Sequence, residues 1–164
     1  MVFKLLVVDP DACTGCRVCE LVCSFYHTKE FNPERSRIRI IKDDSMGINV
    51  PMVCQQCEKP LCVEACPVEA IQKDEQTGVV TINEEKCIGC KLCVLACPFG
   101  GTSIDPELGL AIKCDLCGGD PQCAKYCITK AISYVEPGRV GYLLKKKGAE
   151  RLAELIKIVL GEKI

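Results

Sequence analysis

The sequence predicts an α+β fold: short β-hairpins strung between four cysteine groups, closed by one amphipathic helix. Three observations predict it. All sixteen cysteines fall into four groups of four, with none left over. A group followed by a short apolar run recurs, as Ala70-Ile71 after the second group and Ala131-Ile132 after the fourth, so group plus strand is an internal repeat. Near the C-terminal end, Leu152, Leu155, Ile156, Val159 and Leu160 fall at i, i+3, i+4, i+7 and i+8, one face of a helix.

Taken in order, residues 2–8 read as a strand, and Asp9-Pro10-Asp11 turns the chain into the first group. That group is Cys13, Cys16, Cys19 and Cys23, spaced C-x2-C-x2-C-x3-C. Asn32-Pro33 marks a turn. Arg37 to Ile41 alternates with period two and reads as a strand, Asp43 to Gly47 as a turn, and Ile48 to Val53 as the return strand. The second group is Cys54, Cys57, Cys62 and Cys66, spaced C-x2-C-x4-C-x3-C and followed by Pro67. Runs at 70–73 and 79–83 flank Gln76-Thr77-Gly78 as a hairpin. The third group is Cys87, Cys90, Cys93 and Cys97, spaced C-x2-C-x2-C-x3-C and followed by Pro98. Phe99-Gly100-Gly101 turns into Thr102–Ile104, and the chain returns through Ala111-Ile112 after a turn near 106–109. The fourth group, Cys114, Cys117, Cys123 and Cys127, has the spacing C-x2-C-x5-C-x3-C. From 143 to 164 the chain reads as the amphipathic helix. It either closes on the protein's own core or docks on a partner.

The bulk numbers say what the cysteines are for. The chain has 164 residues, no Trp, four Phe and four Tyr, so its core is short of aromatic bulk. A thin core is stapled by disulfides or by metal. Met1–Val8 is apolar, but Lys4 interrupts it and no cleavage site follows, so it reads neither as a secretory signal nor as a membrane span. The expectation is a cytoplasmic chain whose thiols stay reduced, which favours metal.

Cysteines in runs of three plus a fourth are the ligand loops of bacterial-type [4Fe–4S] sites. Thiolates are the soft donors a cubane needs, and two-residue gaps let one loop wrap three corners. The fourth cysteine does not easily curl back, and in the two-cluster pattern it ligates the neighbouring cluster. Groups therefore work in pairs, and four groups imply four [4Fe–4S] clusters. Pro67 and Pro98 fix the backbone after the fourth cysteine. Gly15 and Gly89 are expected where the loop comes close to inorganic sulfur. Zinc sites use two cysteine pairs rather than such runs, and a disulfide scaffold has no export signal to go with it.

The formal net charge of −1 counts the cysteines as neutral. Four oxidised clusters with their thiolates add roughly −8, so Lys and Arg are local compensation and not a nucleic-acid surface. His27, four residues past Cys23, reads as a surface residue or one beside a ligand, with cluster tuning or proton shuttling as the sharper alternatives. No phosphate loop, dinucleotide fingerprint or nucleophile–base pair appears, so no catalytic residue is expected.

These residues resemble a known family. The block from Lys86 to Gly100, the run Cys54-Gln55-Gln56-Cys57-Glu58-Lys59-Pro60-Leu61-Cys62 and the run Lys113-Cys114-Asp115-Leu116-Cys117 are similar, in order and content, to motifs of the four-cluster iron–sulfur subunits of the dimethyl-sulfoxide-reductase type. The stretch from Cys23 to Ile40, with His27, Asn32-Pro33 and Arg37-Ile38-Arg39, resembles a compact branch. Its members are the small subunits of tungsten aldehyde oxidoreductases and the ferredoxin-like carrier of carbon monoxide dehydrogenase.

The resemblance implies a nested ligand pattern. Cys13, Cys16 and Cys19 would take Cys127 as their fourth ligand, and Cys114, Cys117 and Cys123 would take Cys23. Cys54, Cys57 and Cys62 would take Cys97, and Cys87, Cys90 and Cys93 would take Cys66. The expected fold is then two nested bacterial-ferredoxin-like halves in a four-cluster unit over 1–142, followed by the helix over 143–164. The outer half spans about 1–30 plus 105–142, and the inner half about 50–104.

The expected function is electron transfer as the iron–sulfur subunit of an oxidoreductase complex, with no substrate site of its own. The partners implied are a large tungsten- or molybdenum-pterin subunit, aldehyde oxidoreductase first, and a soluble carrier or further redox subunit. Nucleic acid and direct membrane insertion are not expected. The alternatives are a free polyferredoxin, a carrier for carbon monoxide dehydrogenase or hydrogenase, and a non-redox structural cluster protein.

Overall fold

A computed structural model describes residues 4–159. Four two-stranded antiparallel ribbons carry the chain. Strand β1 (Leu5–Val8) pairs with β8 (Ile132–Val135), from Leu5 opposite Val135 to Val8 opposite Ile132. The other three are local hairpins: β2 (Arg39–Asp43) with β3 (Ile48–Met52), β4 (Ile71–Lys73) with β5 (Val80–Ile82), and β6 (Thr102–Ile104) with β7 (Ala111–Lys113).

The expected strand at 37–41 begins later, at Arg39, for a physical reason. The backbone groups ahead of it are already committed. Arg37 N–H donates to Cys23 Sγ at 3.4 Å, and Ile38 N–H donates to Ser36 Oγ at 3.2 Å. The three hairpin turns share one device, an Asp followed four residues later by Gly. Oδ1 of Asp43, Asp74 and Asp105 each accepts from the backbone N–H two and three residues on, at 2.7–3.2 Å. The carboxylate thus replaces backbone partners that a tight turn leaves free.

Helices run through the cysteine groups, where the sequence reading placed none. They are α1 (Val18–Thr28), α2 (Leu61–Glu64), α3 (Leu92–Ala96) and α4 (Gln122–Lys125). The buried side chains form two cores. One draws on both ends of the chain, with Leu6, Cys19, Cys23, Leu116, Cys123 and Ile132 among its members. The other is made of Cys62, Ile71, Val80, Cys93 and Ala111, all from the middle.

The last helix, α5, spans Pro137–Val159 and so starts ahead of the expected residue 143. Pro137 suits a first helical position, where its missing N–H costs nothing. Residues 160–164, with Leu160 of the predicted stripe, lie outside the described residues. No residue of α5 is buried. Its charged side holds it: Lys147 pairs with Asp9 and, at 2.6 Å, with Asp11, while Arg151 pairs with Asp11. Leu152, Leu155, Ile156 and Val159 stay exposed, so a helix closing on the core is not what forms. Among the described residues no helix is long and apolar enough to cross a membrane.

Candidate metal centres

Each group presents its third cysteine from a helix: Cys19 on α1, Cys62 on α2, Cys93 on α3 and Cys123 on α4. The preceding loop curls by backbone of the left-handed region. In the first and third groups Gly15, Arg17, Gly89 and Lys91 all have φ between 61° and 66°. Gln56 (φ 48°) and Cys117 (φ 50°) do the same in the second and fourth. A non-glycine residue held there costs free energy, so the surroundings must fix the loop.

Gly15 and Gly89 turn out to face hairpins. A Cβ at Gly89 would lie 2.5 Å from the Gly109 carbonyl oxygen, and one at Gly15 would strike the Asn49 side chain. At each of these glycines a side chain would collide with a neighbouring hairpin.

The fourth cysteine of the third group leaves its helix. Pro98 disfavours helical backbone at the residue before it, and Cys97 is extended at φ −84°, ψ 109°. Its sulfur then meets a backbone donor, Gly101 N–H, at 3.2 Å. Cys66, also before a proline, accepts from Ala70 N–H at 3.2 Å. In the first group no proline follows, α1 continues to Thr28, and Cys23 stays helical.

The cysteines converge across groups. Cys54, Cys57, Cys62 and Cys97 line one cavity, and Cys66, Cys87, Cys90 and Cys93 line another. At the chain ends α1 packs on α4, and Cys19, Cys23 and Cys123 share a core against which Cys114 and Cys127 lie. Gly101 makes one of these junctions possible. A Cβ there would sit 2.9 Å from Cys54 Cα, so only glycine lets the chain after Cys97 pass the second group.

Electrostatics describe what these thiols need. Burial pushes Cys19 and Cys114 up to about 12 and Cys117 to about 11, and it drives Cys123 up as well. Burial is the largest cause at each, and the Cys23 thiolate, if ionised, adds to the rise at Cys114, Cys117 and Cys123. At Cys66 and Cys127 burial also raises the thiol, but several backbone N–H groups outweigh it and hold both below the usual range. Thiols raised as far as Cys19, Cys114 and Cys117 stay neutral near pH 7 unless a cationic metal core compensates their thiolates, and a sulfur-only donor set suits iron–sulfur ligation. A buried hydroxyl in the first cavity, Thr102 Oγ1, has no hydrogen-bond partner in the protein. The residues present fit an anionic cluster there.

His27 is not on the surface. Its side chain is 11% exposed, with Nε2 3.5 Å from Asp115 Oδ1 and 3.9 Å from Cys117 Sγ. Burial, helped by the Arg37 charge and opposed by Asp115, pushes its pKa down to about 4. Arg37 in turn donates to Asp115 Oδ2 at 2.7 Å, so a charged network borders the fourth group.

Other residues of the sites were not singled out from sequence. Gln56 joins the second and fourth groups: Nε2 donates to the Cys114 carbonyl at 2.7 Å, and Oε1 accepts from Val80 N–H at 2.8 Å. Buried Glu20 accepts from Ile40 N–H at 2.8 Å and pairs with Arg17 at 2.5 Å, fixing α1 against β2. In sequence Gln56 and Glu20 are polar residues beside cysteines, and nothing there signals their burial.

This fold, with helix-borne cysteines converging from paired loops, defines an iron–sulfur protein of the ferredoxin type. Residues 45–137 match the family described as 4Fe-4S dicluster domain, and residues 5–27 match the 4Fe-4S binding domain. The chain belongs to the 4Fe-4S dicluster-domain family. It is 49% identical over 122 residues to the polyferredoxin-like subunit of aliphatic sulfonate oxidoreductase from Pyrococcus furiosus, covering 74% of this chain and 70% of the relative. It is 33% identical over 169 residues to the electron transport protein HydN of Escherichia coli K12, covering 88% and 94%. Among solved structures, a chain of the active-site complex BamBC of benzoyl coenzyme A reductase with benzoyl-CoA aligns at 29% identity. Its TM-score is 0.51, over 96% of this chain and 98% of that one.

Proposed function

We propose that the protein is an electron-transfer subunit that carries four [4Fe–4S] clusters and serves a larger oxidoreductase. The carrying observation is the pair of cavities in the middle of the chain. Each is walled by three cysteines of one group and the fourth cysteine of the other. That crossed set is how two cubanes share two loops. The same logic assigns Cys127 to Cys13, Cys16 and Cys19, and Cys23 to Cys114, Cys117 and Cys123. The two cores, one holding Cys19, Cys23 and Cys123 and the other Cys62 and Cys93, support two separate cluster pairs.

A bound cluster would supply one-electron transfer; the protein's part is to hold, insulate and tune it. The relatives support a complex, because one is a subunit of an oxidoreductase and another belongs to an active-site complex of a reductase. The preferred partner is a tungsten- or molybdenum-pterin enzyme of the aldehyde oxidoreductase type, with a soluble carrier at the other end of the wire. The exposed apolar residues of α5 suit such an assembly.

The test is iron and company. Protein purified anaerobically from its native host is expected to hold about sixteen iron atoms per chain, the number four cubanes require. A large pterin-containing subunit is expected to co-purify. A content near eight overturns the four-cluster reading, and a monomeric holoprotein with no companion overturns the subunit reading in favour of a free polyferredoxin.

A further inference from the structure

Two polar side chains in the wall of the Cys54–Cys57–Cys62–Cys97 cavity are not satisfied by the protein. Thr102 is 3% exposed, and its hydroxyl has no partner. Lys113 is also 3% exposed, and its ammonium makes one bond, to the Val80 carbonyl at 2.9 Å. Among the described residues no carboxylate pairs with it. The other fully buried charges are paired, Glu20 with Arg17 and Asp105 with Arg35. A buried hydroxyl without a partner and a buried ammonium without a counter-charge are costly, so they mark a missing counterpart.

Thr102 and Lys113 face each other across the β6–β7 hairpin and so project from one face of it. Both line the same cavity. Burial pushes the Cys62 thiol up, and the Lys113 charge works against that rise. The wall of the neighbouring cavity, beyond its four cysteines, offers Val68, Ala70, Ile71 and Ala111, and its lysine, Lys91, is exposed.

We propose that Thr102 and Lys113 are the polar half of this cluster site, with the ammonium as counter-charge and the hydroxyl as donor to a sulfur, and that they raise this cluster's reduction potential above that of its inner neighbour. This rests on the cluster assignment above. One-electron reduction adds one negative charge to an already anionic cluster. A fixed buried cation and a donor favour that form over the oxidised one. An electron entering the inner pair would then rest first at the Cys54 site.

The experiment uses the full chain, loaded anaerobically, in wild-type, Thr102→Val, Lys113→Met and Lys113→Arg forms. Iron is counted, and each paramagnetic signal is followed in a potentiometric titration with dithionite as donor. The Cys57→Ser protein identifies the signal that belongs to this site. Lys113→Met is expected to lower the reduced-to-oxidised ratio of that cluster at least tenfold at the wild-type midpoint, a shift of about 59 mV for one electron. Thr102→Val is expected to lower it by a smaller factor, and Lys113→Arg to stay near wild type. Unchanged midpoints in fully loaded Lys113→Met and Thr102→Val overturn the proposal. If Lys113→Met fails to load, a Lys113→Arg protein with full iron and a wild-type midpoint supports it, and failure of both overturns it. Low iron in the wild-type chain instead refutes the cluster reading.

Discussion

Arg35 Nε donates to Asp105 Oδ2 at 2.9 Å, joining turns seventy positions apart. Asp105 is 2% exposed, and the same guanidinium reaches Glu107 at 2.7 Å and Glu30 at 3.2 Å. The pair ties the Pro33–Arg35 turn to the β6–β7 hairpin that carries Thr102 and Lys113.

The Asp105 carboxyl is raised by burial, but Arg35 and the Leu108 and Glu107 N–H groups more than offset this, holding it below the ordinary range. A depressed folded pKa gives stability that is present above the unfolded value, about 4, and is lost as pH falls through the folded one. Asp105→Ala is therefore expected to speed unfolding in urea about tenfold near neutral pH, by losing charge-assisted bonds. The gap to wild type should narrow below about pH 4. The rate of visible bleaching of the anaerobic holoprotein measures both effects. A pH-independent gap would mean that packing, not charge, holds the turn.

Gly101→Ala is expected to disrupt the second and third groups together, because its Cβ would collide with Cys54 Cα at 2.9 Å. Overpacking of that kind costs about 1–3 kcal/mol, and here it should also lower the iron content. Gly100→Ala is the control. Nothing lies near its Cβ, so it should bear only the strain of φ +60°, about 1 kcal/mol, and keep full iron. Iron analysis and denaturation of the two proteins side by side decide the matter.

The proposed crossed ligand sets predict which double substitutions are additive. Cys127→Ala should cost about four iron atoms, one cubane. Adding Cys16→Ala should cost nothing more, because both serve one cluster, whereas adding Cys117→Ala should bring the loss to about eight. The reverse pattern would mean that each group holds its own cluster.

Helix α5 is tied by Lys147 and Arg151 to half-buried Asp9 and exposed Asp11, so its attachment should weaken with salt, which screens pairs open to solvent. Limited proteolysis within 137–159 is expected to accelerate severalfold between low and 1 M salt, or in Asp11→Asn at low salt. Cleavage insensitive to both would point to apolar attachment through Leu143 and Leu144 instead.

The cysteine groups and the three local hairpins were legible because their signals are local: fixed spacings, alternation and turn residues within a dozen positions. The β1–β8 ribbon was not, because alternation at Leu5–Val8 does not name a partner at 132–135. Helices α2, α3 and α4 are too short, at four or five residues, to show a period. Helix α5 showed its stripe only beyond 143, since Gly138 and Gly141 leave its first turns without one. In the sites, the spacings named every cysteine, but the roles of Thr102, Lys113, Gln56 and Gly101 appear only when the hairpin register and the paths between groups are known.

The pairing of β1 with β8 also sets a timetable. Strand β1 must wait for β8, more than a hundred residues behind it, on the order of ten seconds of synthesis. Meanwhile the middle groups can close on themselves, since all their cysteines lie between 54 and 97. Nascent chains stalled with residue 113 already outside the ribosome should therefore hold iron, while Leu5–Val8 remains an unpaired edge that needs protection until Ile132 emerges.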